Sequence, residues 1–402
     1  MVHPASVGRL LLVTFLESFG TVLLERGIYF FTADRLRYSE PENLWLALSF
    51  GVAYIAGALA SHRLTVRWSE RSVLLGTLAA LLVLHGALSR DTESRSVPFL
   101  FPLIGLLQGL KWPPIESFIS AGRSPAELVR RLGQFNVSWA LSVPAALVAA
   151  GPIIASGRPE LFFESAALLN VIAFALCLPL PSRPSHFEAD HPARPHPSAL
   201  ARAARLLVSA RWSMLSSYTL LFLLAPLMPE SLRRLDLEVT TATAWVALLD
   251  VARVVCFGLS GFYTAWRGRS ALLVVSAVTL PLAFALVLGA PNLPLFALGE
   301  ILFGLASGFC YSAALYYALL VKNAAVDAGG AHEGLIGVGF ALGPLAGLAG
   351  SALQSGALGR TEATLIAVFP LALGCLTLAL KPLLGLAALH GGAPTSDRRA
   401  ES

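Results

Sequence analysis

Apolar stretches long enough to cross a bilayer recur from one end of this 402-residue chain to the other, about twelve in all. A spanning helix takes roughly 20 apolar residues, so a dozen of them with short connections nearly exhaust the length. Hydrophobic residues make up 56% of the sequence and charged ones 13%, against about 25% charged in a soluble domain. A soluble globule is thereby excluded, and an all-α membrane protein is expected.

Apolar length and Gly/Pro punctuation place segments 1 to 6 at 7–31, 43–62, 72–89, 97–120, 132–155 and 160–180. Segments 7 to 12 follow at 206–228, 239–265, 270–289, 293–321, 331–355 and 362–386. The first is longer than a signal-peptide core and lacks a small-residue cleavage pattern around Thr32 to Tyr38, so it stays as a helix. The expected organisation is a six-helix bundle over 1–180, a Pro-, His- and Arg-rich linker over 181–205, a second bundle over 206–390 and a tail over 391–402. The end of the linker reads as an amphipathic lead-in to segment 7.

Alternate connections, with Arg9 and Lys381 counted at the outer segment ends, hold 17 Lys and Arg on one side and 8 on the other. Cytoplasmic loops carry the excess, which predicts two cytoplasmic termini in a plasma (inner) membrane protein. The halves echo one another at an offset of 195–200 residues: Arg9-Leu10-Leu11 with Arg205-Leu206-Leu207, Gly109-Leu110 with Gly304-Leu305, and Cys177-Leu178 with Cys375-Leu376. A shared offset indicates parallel repeats.

The four cysteines fall singly in separate segments without CxxC spacing and read as packing residues. No paired-His metal spacing, HExxH or GxSxG occurs, so neither a metal site nor an enzyme is expected, and without a GxxxxGK[ST] loop no ATP-driven transport by this chain alone. The net charge of +5 comes from arginines dispersed among turns, not from a basic run with aromatics, so nucleic acid is not an expected partner. No cofactor is expected, and the chain is expected to act as a monomer.

Six plus six segments, a long central linker and termini on one side resemble the major facilitator superfamily. Its helix 2–3 motif, Gly-x-x-x-Asp-Arg-x-Gly-Arg-Arg, corresponds here to Gly57-Ala-Leu-Ala-Ser61-His62-Arg63, continuing to Arg67 and Arg71, with Ser61 where the family has Asp. The second half keeps Gly268-Arg269 of the equivalent stretch. Gly339, Gly343, Pro344 and Gly347 in segment 11 are similar to a signature that drug antiporters of the superfamily carry on helix 5. Glu25-Arg26-Gly27-Ile28-Tyr29-Phe30 is similar to a motif of proton-coupled peptide transporters, whose earlier Glu falls at Val22 here. The resemblance implies that segments 1, 4, 7 and 10 line a central cavity and that 3, 6, 9 and 12 face lipid.

The polar residues within segments agree with that division. Thr14, Glu17 and Thr21 share one side of segment 1, Gln108, Lys111 and Trp112 cluster on segment 4, Arg211 and Tyr218 on segment 7, and Glu300, Gly304, Ser307 and Tyr311 form a stripe on segment 10. An ionisable group at mid-membrane depth is expensive and faces a partner or a wet cavity. Glu17 has Lys111 as its candidate partner, either as a proton-exchanging pair or as a fixed structural one. Asp250 and Arg253, three apart on segment 8, can neutralise each other. Glu25 and Arg26 are placed near the outer end, able to snorkel to water.

Gly57, Ser61, Arg63, Arg67, Arg71, Glu116, Gly268, Arg269 and Glu333 are the expected cytoplasmic gate, with Glu333 either latching Arg63, Arg67 or Arg71 or capping its helix. The three helix 11 glycines and Pro344 are expected to serve packing and motion. Prolines 113 and 114 are expected to kink segment 4. Together these features lead to a secondary transporter of a small organic solute working by alternating access, with proton coupling through Glu17 or Glu300. A multidrug-type efflux antiporter and a transport-inactive receptor or assembly factor stand as alternatives.

Overall fold

The apolar segments form helices with the spacing their lengths dictate. A computed structural model describes residues 4–91, 93–123, 125–158, 160–185, 197–321 and 326–391. Among them the first half comprises α1 (Pro4–Glu25), α2 (Gly27–Arg35), α3 (Glu40–Trp68), α4 (Glu70–Arg90), α5 (Val97–Ser120), α6 (Pro125–Ala155) and α7 (Glu160–Cys177). The second comprises α8 (Pro197–Arg233), α9 (Val239–Phe262), α10 (Ala271–Leu288), α11 (Leu293–Val321), α12 (Val326–Leu353) and α13 (Arg360–Gly391). No strand occurs among the described residues.

Helices α1 and α2 make one span, Val7–Arg35, so twelve passes result. Eleven are long and apolar enough to cross a membrane by length and composition. The other, α5, is diluted by Gln108, Lys111 and three internal prolines. Local signals set several ends. Ser39 and Glu42 form a capping box at the start of α3, the Glu42 carboxylate accepting from the Ser39 N–H at 2.7 Å.

Several boundaries differ from expectation, among them the end of α3 at Trp68 where 62 was expected and the start of α6 at Pro125 where 132 was expected. The first span continues to Arg35 and is interrupted at Arg26, whose φ of −122° leaves the helical region. Helix α8 starts at Pro197, so the end of the linker is already helical. Linker residues 186–196 and tail residues 392–402 lie outside the described residues.

Within the first half α3 packs on α5, α4 on α7 and α1 on α6. In the second, α9 and α10 pack on α11, and α8 on α12 and α13. The halves meet chiefly through α3 with α12 and α6 with α9. Large apolar side chains such as Leu168, Leu282 and Phe369 are exposed on the outside, as an acyl-chain solvent requires.

The tightest crossings repeat between halves. A Cβ on Gly109 of α5 would lie 2.2 Å from the Tyr54 carbonyl oxygen of α3, and one on Gly304 of α11 2.1 Å from the Leu249 carbonyl oxygen of α9. Both members of the second pair follow those of the first by 195 residues, so the short sequence echo marks the same backbone contact twice. Gly57 meets the Leu106 carbonyl oxygen at 1.9 Å on the same measure. Helix α12 uses its glycines likewise: Gly343 abuts the Thr219 carbonyl of α8, Gly339 abuts Tyr218, and Gly347 fits between Leu44 of α3 and Leu223 of α8, with Pro344 buried beside them.

Gly109→Ala should therefore lower stability by ~1–3 kcal/mol through overpacking, read as a lower thermal midpoint of the purified protein. Gly76→Ala, with nothing near its Cβ position, should not lower it.

Candidate functional site

Between the halves lies a cavity of about 90 Å³, lined by Ser18, Thr21, Val22, Glu25 and Arg26 of the first span, Tyr54, Trp112, Phe135, Trp139 and Val143 of the first half, and Tyr218, Leu221, Phe222, Arg253, Tyr311, Glu333, Ile336 and Phe340 of the second. A water needs ~10–15 Å³ on this scale, so there is room for several waters or a compact organic group. No lining residue comes from α4, α7, α10 or α13. The expected lining passes contribute, but α5 and α11 supply one residue each, and α3, α6, α9 and α12 supply the rest of the wall.

The break at Arg26 determines the cavity's charge. Because the helix is interrupted there, Glu25 and Arg26 diverge. Arg26 bonds Asp250 of α9 across the half interface, while Glu25 forms no hydrogen bond or ion pair among the described residues and faces the cavity. The longer span also puts both well inside the protein, with Arg26 5% exposed, which corrects their expected position near the outer end.

Asp250 bonds Arg253 as well, at 3.1 Å, so one carboxylate answers two guanidinium groups. Arg253 also donates to the Tyr218 hydroxyl at 3.3 Å and lies 5.0 Å from the Trp139 ring centroid, a cation–π arrangement. Trp139 in turn packs edge-on against Tyr311, 5.1 Å between centroids. The wall is thus aromatic, with an unanswered carboxylate and a cation held against rings.

Glu17 and Lys111 do not line this cavity. They pair at 2.7 Å inside the first half, where the Asn170 amide of α7 donates to both Glu17 oxygens at 2.9 and 3.1 Å. With that amide nitrogen committed, the Asn170 oxygen is the acceptor for His85 Nδ1 of α4 at 2.7 Å. Lys111 also reaches the Thr21 hydroxyl at 3.2 Å, and Thr21 lies 3.0 Å from Gln108 Oε1. Four helices are tied together by this network. Glu300 likewise sits inside the second half, accepting from the Leu249 N–H at 3.2 Å, and Ser307 bonds the Gly304 carbonyl of its own helix at 3.1 Å.

The expected gate residues divide. Arg63 and Arg67 are exposed, and Arg71 donates to the Leu180 carbonyl at 2.9 Å. None of them meets Glu333, which corrects the expected latch: Glu333 accepts instead from the Tyr54 hydroxyl of α3 and lies beside Glu116 and His332. In the second half, Gly268 takes a left-handed φ of 71°. Its carbonyl accepts from Arg202 at 2.9 and 2.6 Å, and Arg269 is exposed.

Ser61 has a specific task. Pro114 has no N–H, so the Leu110 carbonyl four residues earlier loses its helical donor, and Ser61 Oγ donates to that oxygen at 3.0 Å. An aspartate there would present another acceptor.

At the end of the molecule opposite the termini, a wider depression of about 680 Å³ carries charges of both signs, among them Asp34, Arg37, Glu230 and Arg233. Its floor includes a second cross-half pair, Arg360 to Glu40, 2.7 Å from Nε to Oε2.

Sequence reasoning passed over Trp139, Phe222 and Phe340, whose aromatic character looks like ordinary core, and Asn170, a lone amide in an otherwise apolar stretch of segment 6 that was a usable signal.

The profile of the Major Facilitator Superfamily matches residues 10–348. Comparison with curated protein sequences gave no match. Among solved structures, the chain is similar to a mutant form of the nucleoside transporter NupG, with TM-score 0.68 and 14% identity over 94% of this chain and 99% of that one. It is similar also to the human organic anion transporter MFSD10 (TETRAN), with TM-score 0.62 and 16% identity over 94% of this chain and 100% of that one. A bacterial homologue of the human drug peptide transporters PepT1 and PepT2 aligns with TM-score 0.65 and 12% identity over 96% of this chain and 98% of that one. At such identities the likeness is one of fold.

Lys111→Met strands the buried Glu17 carboxylate and should cost ~3–5 kcal/mol, with the double variant Glu17→Gln/Lys111→Met recovering most of it in thermal unfolding. Ser61→Ala leaves the Leu110 carbonyl unbonded and should cost ~1–3 kcal/mol by the same measurement.

Proposed function

The chain belongs to the major facilitator superfamily of membrane transporters, and from that membership we propose that it is a secondary transporter moving a small organic solute by alternating access, with protons as the coupling ion. The observation that carries the reading is the cavity between the halves, in which the Glu25 carboxylate has no hydrogen-bond or ion-pair partner among the described residues while the Arg253 guanidinium stands among rings. A compact solute with a flat apolar part and a cationic or zwitterionic end complements those walls. Aromatic faces take the ring, Glu25 takes the cationic group, and Arg253 takes an acidic one.

Glu25 replaces Glu17 and Glu300 as the first candidate for proton exchange. Glu17 is already neutralised by Lys111 and held by Asn170, and Glu300 is held by a backbone donor within its own half. A carboxyl group that meets either solute or proton inside a cavity open to each side in turn is what coupling requires. The Lys and Arg excess on one set of connections supports cytoplasmic termini in the plasma membrane, and a monomer suffices because the cavity is complete within one chain.

The test begins with counterflow in proteoliposomes across a panel of zwitterionic and cationic aromatic solutes. For a solute that exchanges, Glu25→Gln should abolish pH-gradient-driven accumulation while leaving counterflow, and Arg253→Ala should weaken apparent affinity about 10–100-fold for solutes with an acidic group. Undiminished accumulation by Glu25→Gln removes this residue from coupling. Binding without counterflow for every solute tried favours the transport-inactive receptor.

A further inference from the structure

Where α5 and α12 meet, at the end of the molecule that carries the termini, Glu116, His332 and Glu333 converge. One ligand-type atom from each lies within 4.8 Å of the others. All three side chains are buried, at 2%, 0% and 4% exposure. Among the described residues, both Glu116 carboxylate oxygens and both His332 ring nitrogens lack a hydrogen-bond partner, while Glu333 accepts from the Tyr54 hydroxyl.

That combination is expensive for a protein interior. Buried polar atoms are normally bonded, and two carboxylates side by side in apolar surroundings call for a shared proton or a cation between them. Arg211 of α8 makes no hydrogen bond to His332 or Glu116. Space for the carboxylate is built in on the opposite wall. A Cβ on Gly329 of α12 would lie 2.6 Å from Glu116 Oε2, so only glycine leaves that oxygen its present place.

We propose that Glu116, His332 and Glu333 form a binding site for a divalent transition-metal ion, with Zn²⁺ as the representative case, joining α5 of the first half to α12 of the second. Two carboxylates balance the ion's charge, and a carboxylate–imidazole donor set suits Zn²⁺ and its neighbours. Hard cations such as Ca²⁺ want six to eight oxygens, which three side chains do not offer. Glu333 also lines the central cavity, which gives an ion a route in. Because Glu116 and His332 are 216 residues apart, no linear metal spacing announces the site. An ion held there ties the halves together, and its release becomes a condition for opening that end.

The test uses the full-length, tag-free protein in lipid nanodiscs, stripped with chelator and dialysed against Zn²⁺, with metal counted by elemental analysis. One ion per chain is expected, not displaced by excess Mg²⁺. Losing even an outer partner of a metal ligand costs about 10–100-fold in affinity, so Glu116→Gln and His332→Asn should each weaken binding at least about tenfold, with the exposed His62→Asn unchanged. Monodisperse elution and thermal unfolding check that the variants fold. The proposal is overturned if the wild type retains no zinc, whatever the variants do, or if folded Glu116→Gln and His332→Asn bind as tightly as the wild type. These readouts need no solute, so failure of the transport reading leaves them intact.

Discussion

A charge enclosed by apolar helices is costly unless something neutralises it, and the positions of the ion pairs organise much of this molecule. Inside the first half, Lys111 answers Glu17 and the Asn170–His85 pair completes the arrangement, so α1, α4, α5 and α7 are tied together. Across the boundary, Asp250 answers Arg26 from the first half and Arg253 from its own helix. The first group is scaffold and the second is interface. Glu25 belongs to neither, and it is the carboxylate that faces the cavity without a hydrogen bond or ion pair among the described residues.

Close backbone contact supplies the other half of the framework. Glycines at equivalent places in the two repeats bring α3 against α5 and α9 against α11, carbonyl against Cα. A bundle with no hydrophobic drive between its helices, lipid being as apolar as they are, relies on such contacts for cohesion. Helix α12 extends the device to both neighbours, touching α8 through Gly339 and Gly343 and Leu44 of α3 through Gly347. The helix at the boundary is thus packed smoothly on both sides, and its charged groups sit at one end.

Architecture was legible because it depends on length. Twelve apolar stretches could only become twelve passes, and α5 and α11 occupy the residues their composition assigns, 97–120 and 293–321. The Glu17–Lys111 pair was legible too, since each lies at mid-depth on a pass expected to line the centre and each needs an opposite charge. What one helix's sequence does not contain is the direction in which a residue meets its neighbours. Glu17 and Glu300 share their faces with cavity-lining residues, yet rotation of each helix within its bundle turns them inward to their own half. The interruption at Arg26 falls directly before Gly27, a local signal that the apolar length of the segment concealed. Beside it Arg26 reaches Asp250 on the other half while Glu25 faces the cavity, partners that one helix's sequence does not name. Glu116, His332 and Glu333 were each noticed singly, but their convergence is a property of the α5–α12 crossing.

The bond from Ser61 to the Leu110 carbonyl alters how the departure from the family's helix 2–3 motif should be understood. Loss of the aspartate there is no sign of decay, because a hydroxyl donor is what the proline-freed oxygen requires and an ionised carboxylate would repel it. Residues 61 and 114, separated by 53 positions, therefore act on one backbone oxygen, the proline by withholding its donor and the serine by supplying another. Neither can be read without the other: with an amide-bearing residue at 114 the oxygen would regain its helical donor, and the hydroxyl at 61 would have no gap to fill.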